Sequence, residues 1–161
     1  MDILRITLTA AILALAATAE ATPVDAVMDL MDSIDRNDGE MFLASLSDGL
    51  KQQIESAIEV IRTLAQQQPE LALEMLLRID TDLKLSDLEW YSNTQLVSIM
   101  LERVQLPSGD MISGENLSMS GRNAQVTISW YSGYSTDFQL VWEQSSWKVN
   151  GSSILETVLR R

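Results

Sequence analysis

The sequence predicts an α+β fold, in which N-terminal helices pack on one face of a curved C-terminal antiparallel sheet. Between Pro23 and Val104 the apolar residues recur at helical spacing, whereas after Gly109 they alternate with polar residues. Apolar residues make up 46% of the 161 residues, which is enough to build one core. We therefore expect a single domain over residues 23–161, preceded by a short processed segment.

That segment, residues 1–19, has the layout of a secretory signal peptide. Arg5 precedes an apolar, threonine-rich run over 6–19, and small-x-small cleavage sites end at Ala19 and Ala21. The run has about 14 residues, whereas a membrane-spanning helix needs ~20. We expect cleavage after Ala19 or Ala21, no membrane span in the processed protein, and a periplasmic or secreted location.

The first helix is predicted from Pro23 to the turn at Asn37-Asp38-Gly39, and a short segment over 40–46 follows it. Ser47 or Asp48 can then cap a long helix. This long helix has the most regular apolar stripe in the chain, formed by Leu50, Ile54, Ala57, Ile58, Ile61, Leu64 and Ala65.

A helix from Pro69 to Ile79 is predicted next, and it is apolar on nearly every side. Leu73, Leu76 or Leu77 would remain exposed in a monomer and mark an interface, unless the following helix covers them. That following helix is predicted as one element over 86–103, because Ser86-Asp87-Leu88-Glu89 has the pattern of a capping box.

The strands follow from alternation of apolar and polar residues, and glycine- and serine-containing turns separate them. Such spacing is typical of an antiparallel meander with one apolar face. The apolar positions of the series begin at Leu117 and Met119 and continue through Val126, Ile128, Trp130, Phe138, Leu140, Trp142, Trp147 and Val149.

The net charge is −12, from 23 acidic and 11 basic residues, and it repels nucleic acid, so no nucleic-acid partner is expected. The acidity belongs to the helical part, since residues 23–106 hold 16 acids and 6 bases, against 5 and 4 in residues 107–161. The chain has no histidine and no cysteine, which excludes Cys/His zinc sites, Ser-His nucleophiles and disulfides.

No metal, cofactor or catalytic residue is predicted. The acidic residues between Asp25 and Glu40 do not form a calcium loop, because Gly39 as its glycine would put Ile34 and Arg36 at ligand positions. A carboxylate base with a tyrosine donor would suit isomerase chemistry. However, no acid is predicted on the apolar face of the sheet, so the sequence favours a protein without catalytic activity.

The aromatic residues suggest a candidate ligand pocket. Trp130, Phe138 and Trp142 share one strand parity, and Trp90 can join them from a helix. Aromatic residues at this spacing also form ordinary core, and the sequence leaves both interpretations open.

Three segments carry a family resemblance: the turn Asn-Asp-Gly-Glu at 37–40, Met-Phe-Leu-Ala-Ser-Leu-Ser-Asp at 41–48, and the hairpin Phe-Gln-Leu-Val-Trp-Glu-Gln-Ser-Ser-Trp-Lys-Val at 138–149. The chain resembles the NTF2-like (SnoaL/ketosteroid-isomerase-like) superfamily, especially its exported domains of unknown function. The resemblance implies a cone-shaped cavity between helices and sheet. Residues 50–106 are more helical than that pattern, and the superfamily contains enzymes, carriers and assembly modules, so the fold alone does not assign a function.

The expected function is an exported, non-catalytic binding or assembly module, with a homodimer or another protein as partner. The alternative is a carrier of a small apolar ligand, or an isomerase-like enzyme that uses the cone cavity. A carboxylate inside the cone would favour the alternative, whereas a cavity filled by tryptophan and methionine side chains would favour the module.

Overall fold

The computed structural model describes residues 21–78, 83–107 and 111–152. The predicted signal peptide lies outside these residues. The described chain contains six helices followed by a four-stranded sheet, which confirms the α+β prediction. The helices are α1 (Pro23–Asp35), α2 (Gly39–Ser45), α3 (Asp48–Gln67), α4 (Pro69–Arg78), α5 (Leu85–Trp90) and α6 (Asn93–Leu101), and the strands are β1 (Ile112–Ser120), β2 (Asn123–Trp130), β3 (Ser135–Glu143) and β4 (Ser146–Ser152).

Polar side chains begin the first three helices where their free backbone N–H groups need acceptors. The Thr22 hydroxyl accepts from Asp25 N at 3.2 Å, and the Asp38 carboxylate accepts from Met41 N at 3.0 Å. Ser47, rather than Asp48, caps α3, since its hydroxyl accepts from Leu50 N at 3.3 Å. The starts of these helices are therefore local properties of the sequence.

The prediction of one helix over 86–103 is wrong, because two helices occupy this stretch. α5 ends at Trp90, and Tyr91 adopts an extended conformation. Ser92 then caps α6 in a capping box: its hydroxyl accepts from Gln95 N at 3.2 Å, and its own N–H donates to Gln95 Oε1 at 2.8 Å. These reciprocal bonds begin a new helix in place of continuing the old one.

The sheet is an antiparallel meander in the order β1-β2-β3-β4, as the alternation predicts. α1 lies against β1, β2 and β4, while α4 and α5 pack on α3, and α6 packs on α2. A parallel bridge between Leu46 and Val149 joins the helical layer to β4, and Ser47 N donates to Val149 O at 2.9 Å. We call the side of the sheet that faces α1 the core face; its buried residues are Ala124, Val126, Ile128, Trp130, Thr136, Phe138, Leu140, Val149 and Ser152.

Two further features bear on function. α4 is buried only along Ala72 and Leu76, so Leu73 and Leu77 stay exposed as the sequence suggests, whereas Leu76 does not.

Within the described ranges, no helix combines the length and the hydrophobicity that crossing a membrane requires.

Candidate binding surfaces

The core face of the sheet continues past the helices onto β1. Leu117 pairs with Val126 and Met119 pairs with Ala124, and residues that are paired across antiparallel strands point to the same side. Val126 and Ala124 are buried, yet Leu117 is 40% and Met119 is 56% exposed. The described helices thus leave this part of β1 uncovered, and the side chains of Leu117 and Met119 remain exposed.

Glu115 lies on the same side of β1, because it pairs with Ile128. This corrects the expectation that no acid falls on the apolar face. The strand begins at Ile112 rather than at Leu117, so it includes Glu115, which lies two residues before the first apolar position that the sequence indicates. Glu115 is exposed, and it is therefore a solvated carboxylate near the edge of the sheet.

The structure does not bring the four predicted pocket residues together. Trp130 and Phe138 are buried under the helices, and Trp90 is 79% exposed on α5. Trp142 is half-buried beside the hairpin at Arg122, at the other end of the sheet from Trp130. It packs edge-to-face on Trp147, which lies directly opposite on β4, with ring centroids 5.3 Å apart.

Two buried polar atoms on the core face, Trp130 Nε1 and Thr136 Oγ1, have no hydrogen-bond partner among the residues that the structure describes. Thr136 pairs with Ile128 of β2, and Trp130 lies two residues after Ile128 on that strand. The side chains of Thr136 and Trp130 are therefore diagonal neighbours on adjacent strands. Leaving a buried polar group without a partner costs roughly 1–3 kcal/mol. A water molecule or a ligand oxygen between them would remove this cost. The sequence signal that could have identified Thr136 is its strand parity, which it shares with Phe138.

A second apolar surface lies on α4. Leu71, Leu73 and Leu77 are 41%, 45% and 70% exposed, and we call these three leucines the α4 patch. α4 meets α3 through Ala72 and Leu76, which are four residues apart on one side of the helix, so the leucines on the other sides face solvent.

A cleft of about 390 Å³ opens between α3 and α5, and its lining includes Arg62 and Glu89. The Arg62 guanidinium is already engaged: it donates to the carbonyls of Leu88 at 2.7 Å and Tyr91 at 2.6 Å, and to Asn93 Oδ1 at 3.0 Å. These bonds satisfy the last carbonyls of α5. The cleft therefore reflects a structural arginine rather than a free cationic group.

The acidic residues of α1 also have local roles. The backbone N–H of Thr22 donates to the Asp25 carboxylate at 2.7 Å and its hydroxyl does so at 2.8 Å, and these bonds lower the pKa of Asp25 from its ordinary value. Asp32 pairs with Arg36 at 2.9 Å on the exposed surface. Across residues 21–78, 83–107 and 111–152, no three acidic side chains are arranged to hold a metal ion.

Comparisons of the chain with family models, with curated proteins and with solved structures find no match.

Proposed function

We propose that this protein is an exported, non-catalytic binding or assembly module, and that it contacts a protein partner through apolar side chains that its own fold leaves uncovered. The observation that carries the proposal is the α4 patch. Three leucines stand exposed within about two turns of one helix, in a part of the chain that is rich in acids, and burying a leucine side chain stabilises a contact by roughly 1.5–3 kcal/mol.

The charge around the patch indicates the chemistry of the partner. Residues 23–106 carry 16 acids against 6 bases, and Glu70 and Glu74 lie on α4 itself. Glu74 is bonded to Arg78 at 2.6 Å, and Glu70 is a further acid on the same helix as the leucines. A complementary partner surface therefore has an apolar centre and a basic rim.

The non-catalytic part of the proposal is supported by the environment of Glu115, the described carboxylate on the core face of the sheet. A general base that works in an apolar cavity is enclosed so that its pKa rises toward neutrality. Glu115 instead stands exposed on the outermost strand. This environment suits a surface residue at the border of a binding site.

Site-specific photocrosslinking in the native host tests the role of α4. A photoreactive amino acid replacing Leu77 should give a discrete adduct with another protein chain, whereas the same group at Gln53, which is exposed on α3, should not. Leu73→Lys should abolish the Leu77 adduct without lowering the melting temperature. Equal labelling from both positions, or no labelling from Leu77, would contradict the proposal.

Intact-mass measurement of the protein from the same host tests export. Loss of residues 1–19 or 1–21 is expected, because the small residues that end at Ala19 and Ala21 fit the requirement of signal peptidase. A full-length mass in the soluble cytoplasmic fraction would contradict export and leave the binding role intact.

A second candidate function, carriage of a small apolar ligand, is favoured by one observation: the unpartnered Trp130 Nε1 and Thr136 Oγ1. A ligand oxygen between them would accept from the indole N–H. Native mass spectrometry of the host-purified protein should then show an added mass that Trp130→Phe removes and Trp142→Phe retains. The bare polypeptide mass would exclude this function.

A further inference from the structure

The outer backbone edge of β1 is a second feature without a partner strand among the residues that the structure describes. Trp130 N donates to Tyr134 O and Trp142 N donates to Arg122 O, so the even-numbered residues of β2 bond toward β3. Its odd-numbered residues therefore bond toward β1, where their partners are Gly114, Asn116, Ser118 and Ser120. The N–H and C=O groups of Glu115, Leu117 and Met119 consequently point away from the sheet.

This edge has few of the features by which sheet edges usually avoid pairing, and they lie in its first half, at the irregular register between Ile112 and Gly114 and at Glu115. Lysine, proline and inward-pointing charges are the common blocking devices. Over Ile112–Ser120 the strand contains no lysine, arginine or proline, and Glu115 is its single charged residue. The exposed backbone groups belong to the residues whose side chains form the uncovered core face, so an added strand would extend the hydrogen bonding and the apolar face together.

The distribution of charge selects the kind of strand that fits there. The part of the chain that contains the sheet, 107–161, holds 5 acids and 4 bases, whereas the part that contains the helices, 23–106, holds 16 acids and 6 bases. A nearly uncharged edge fits an equally uncharged strand, and β1 of a second copy is such a strand.

We propose that two copies of this chain associate by antiparallel pairing of β1 with β1, around a two-fold axis at Leu117, to form one eight-stranded sheet. The proposal rests on the proposed binding role and names one partner for it. Leu117 then lies opposite Leu117 of the second copy, and Glu115 lies opposite Met119. The two Glu115 residues are about 14 Å apart along the strands, beyond the range of strong repulsion at physiological salt.

Sedimentation velocity with two matched lysine variants tests the pairing. The wild-type protein should show a reversible monomer–dimer equilibrium. Leu117→Lys should weaken dimerisation at least about tenfold, because it puts two positive charges directly opposite each other on the shared apolar face. Ser118→Lys adds the same charge to the neighbouring residue but on the polar face, and it should change the dissociation constant by no more than about twofold. Both positions are exposed, so neither lysine should unfold the monomer.

Spin labels give the geometry, and labelling is simple because the chain has no cysteine of its own. Labels on Ser120→Cys should show an intermolecular distance of about 20 Å, because residue 120 of each copy lies three residues from the two-fold axis and the two labels are thus six residues of strand apart. A monomer up to about 200 µM would overturn the pairing. Equal effects of the two lysine variants on the dissociation constant would also overturn the pairing. The same holds if the Leu117 amide is protected from hydrogen exchange in the monomer. A Leu77 photoadduct with another protein, found together with a monomer, would overturn only the pairing and keep the binding role.

Discussion

The guanidinium of Arg62 donates a 2.6 Å hydrogen bond to the backbone carbonyl of Tyr91, which lies 29 residues further along the chain. A second bond from the same guanidinium to Leu88 O makes Arg62 the C-terminal cap of α5. The side chain of one helix thus stabilises the corner between two others. This corner brings α6 onto α2, and α6 contributes buried residues to the core there.

Arg62→Met is expected to destabilise the protein by about 2–3 kcal/mol, because it leaves three acceptors without their charged donor. Arg78→Met is the control. The Arg78 side chain is 73% exposed and pairs with Glu74 on the same helix, so its loss should cost no more than about 0.5 kcal/mol. Urea denaturation measures both values. Equal costs would mean that Arg62 acts only as a surface charge.

Two glycine-to-alanine substitutions should have effects of opposite sign. A Cβ on Gly39 would collide with the backbone oxygen of Thr94 and the backbone N–H of Ser98, so Gly39→Ala should cost about 2–3 kcal/mol. A Cβ on Gly49 meets nothing within 4 Å in the first turn of α3, and Gly49→Ala should stabilise by about 0.5–1 kcal/mol. Thermal unfolding distinguishes the signs. Stabilisation by Gly39→Ala would show that α2 and α6 are further apart than described.

Trp130 and Trp142 should differ in their contribution to stability. Trp130 is 2% exposed, and Trp130→Ala should cost about 3–5 kcal/mol. Trp142 is half-buried, and its replacement also removes the edge-to-face contact with Trp147. Trp142→Ala should therefore cost about 1–3 kcal/mol. Chemical denaturation monitored by circular dichroism avoids the change in fluorescence. A larger cost at Trp142 would reverse the assignment of the buried end of the sheet.

The N-terminal capping box should make α1 sensitive to acid. The Thr22 backbone N–H, followed by its hydroxyl, lowers the pKa of Asp25 in the folded state below the value in the unfolded chain. The stabilisation is therefore complete above the unfolded pKa, and it is lost as the pH falls through the folded pKa. Carbon-detected NMR titration of Asp25 should show the lowered midpoint.

Thr22→Val is the matched variant for that titration, because it removes the hydroxyl donor and keeps the backbone N–H. The Asp25 midpoint should move part of the way back toward its ordinary value. An unchanged midpoint in Thr22→Val would mean that the hydroxyl contributes nothing to the lowered pKa.

Much of the secondary structure could be predicted from local patterns. Pro23 and Pro69 begin the helices expected of them, and the alternation through Val126, Phe138 and Val149 identifies the strands and their inward positions. The division into α5 and α6 was missed because Ser92-Asn93-Thr94-Gln95 is a capping box inside a stretch that is otherwise apolar at helical spacing. The sequence contained that signal, and the longer periodicity obscured it.

The candidate binding surfaces depend on how far one layer extends over another. By itself the sequence determined that Leu76 and Leu77 lie on a helix and that Val126 and Leu117 lie on strands, because hydrogen bonding and periodicity act between near neighbours. Only the tertiary structure decided that Leu76 and Val126 are buried while Leu77 and Leu117 are exposed. The physical reason is that burial depends on where the helices end above the sheet. Contacts between distant residues, such as Ser47 with Val149 and Arg62 with Tyr91, set that position.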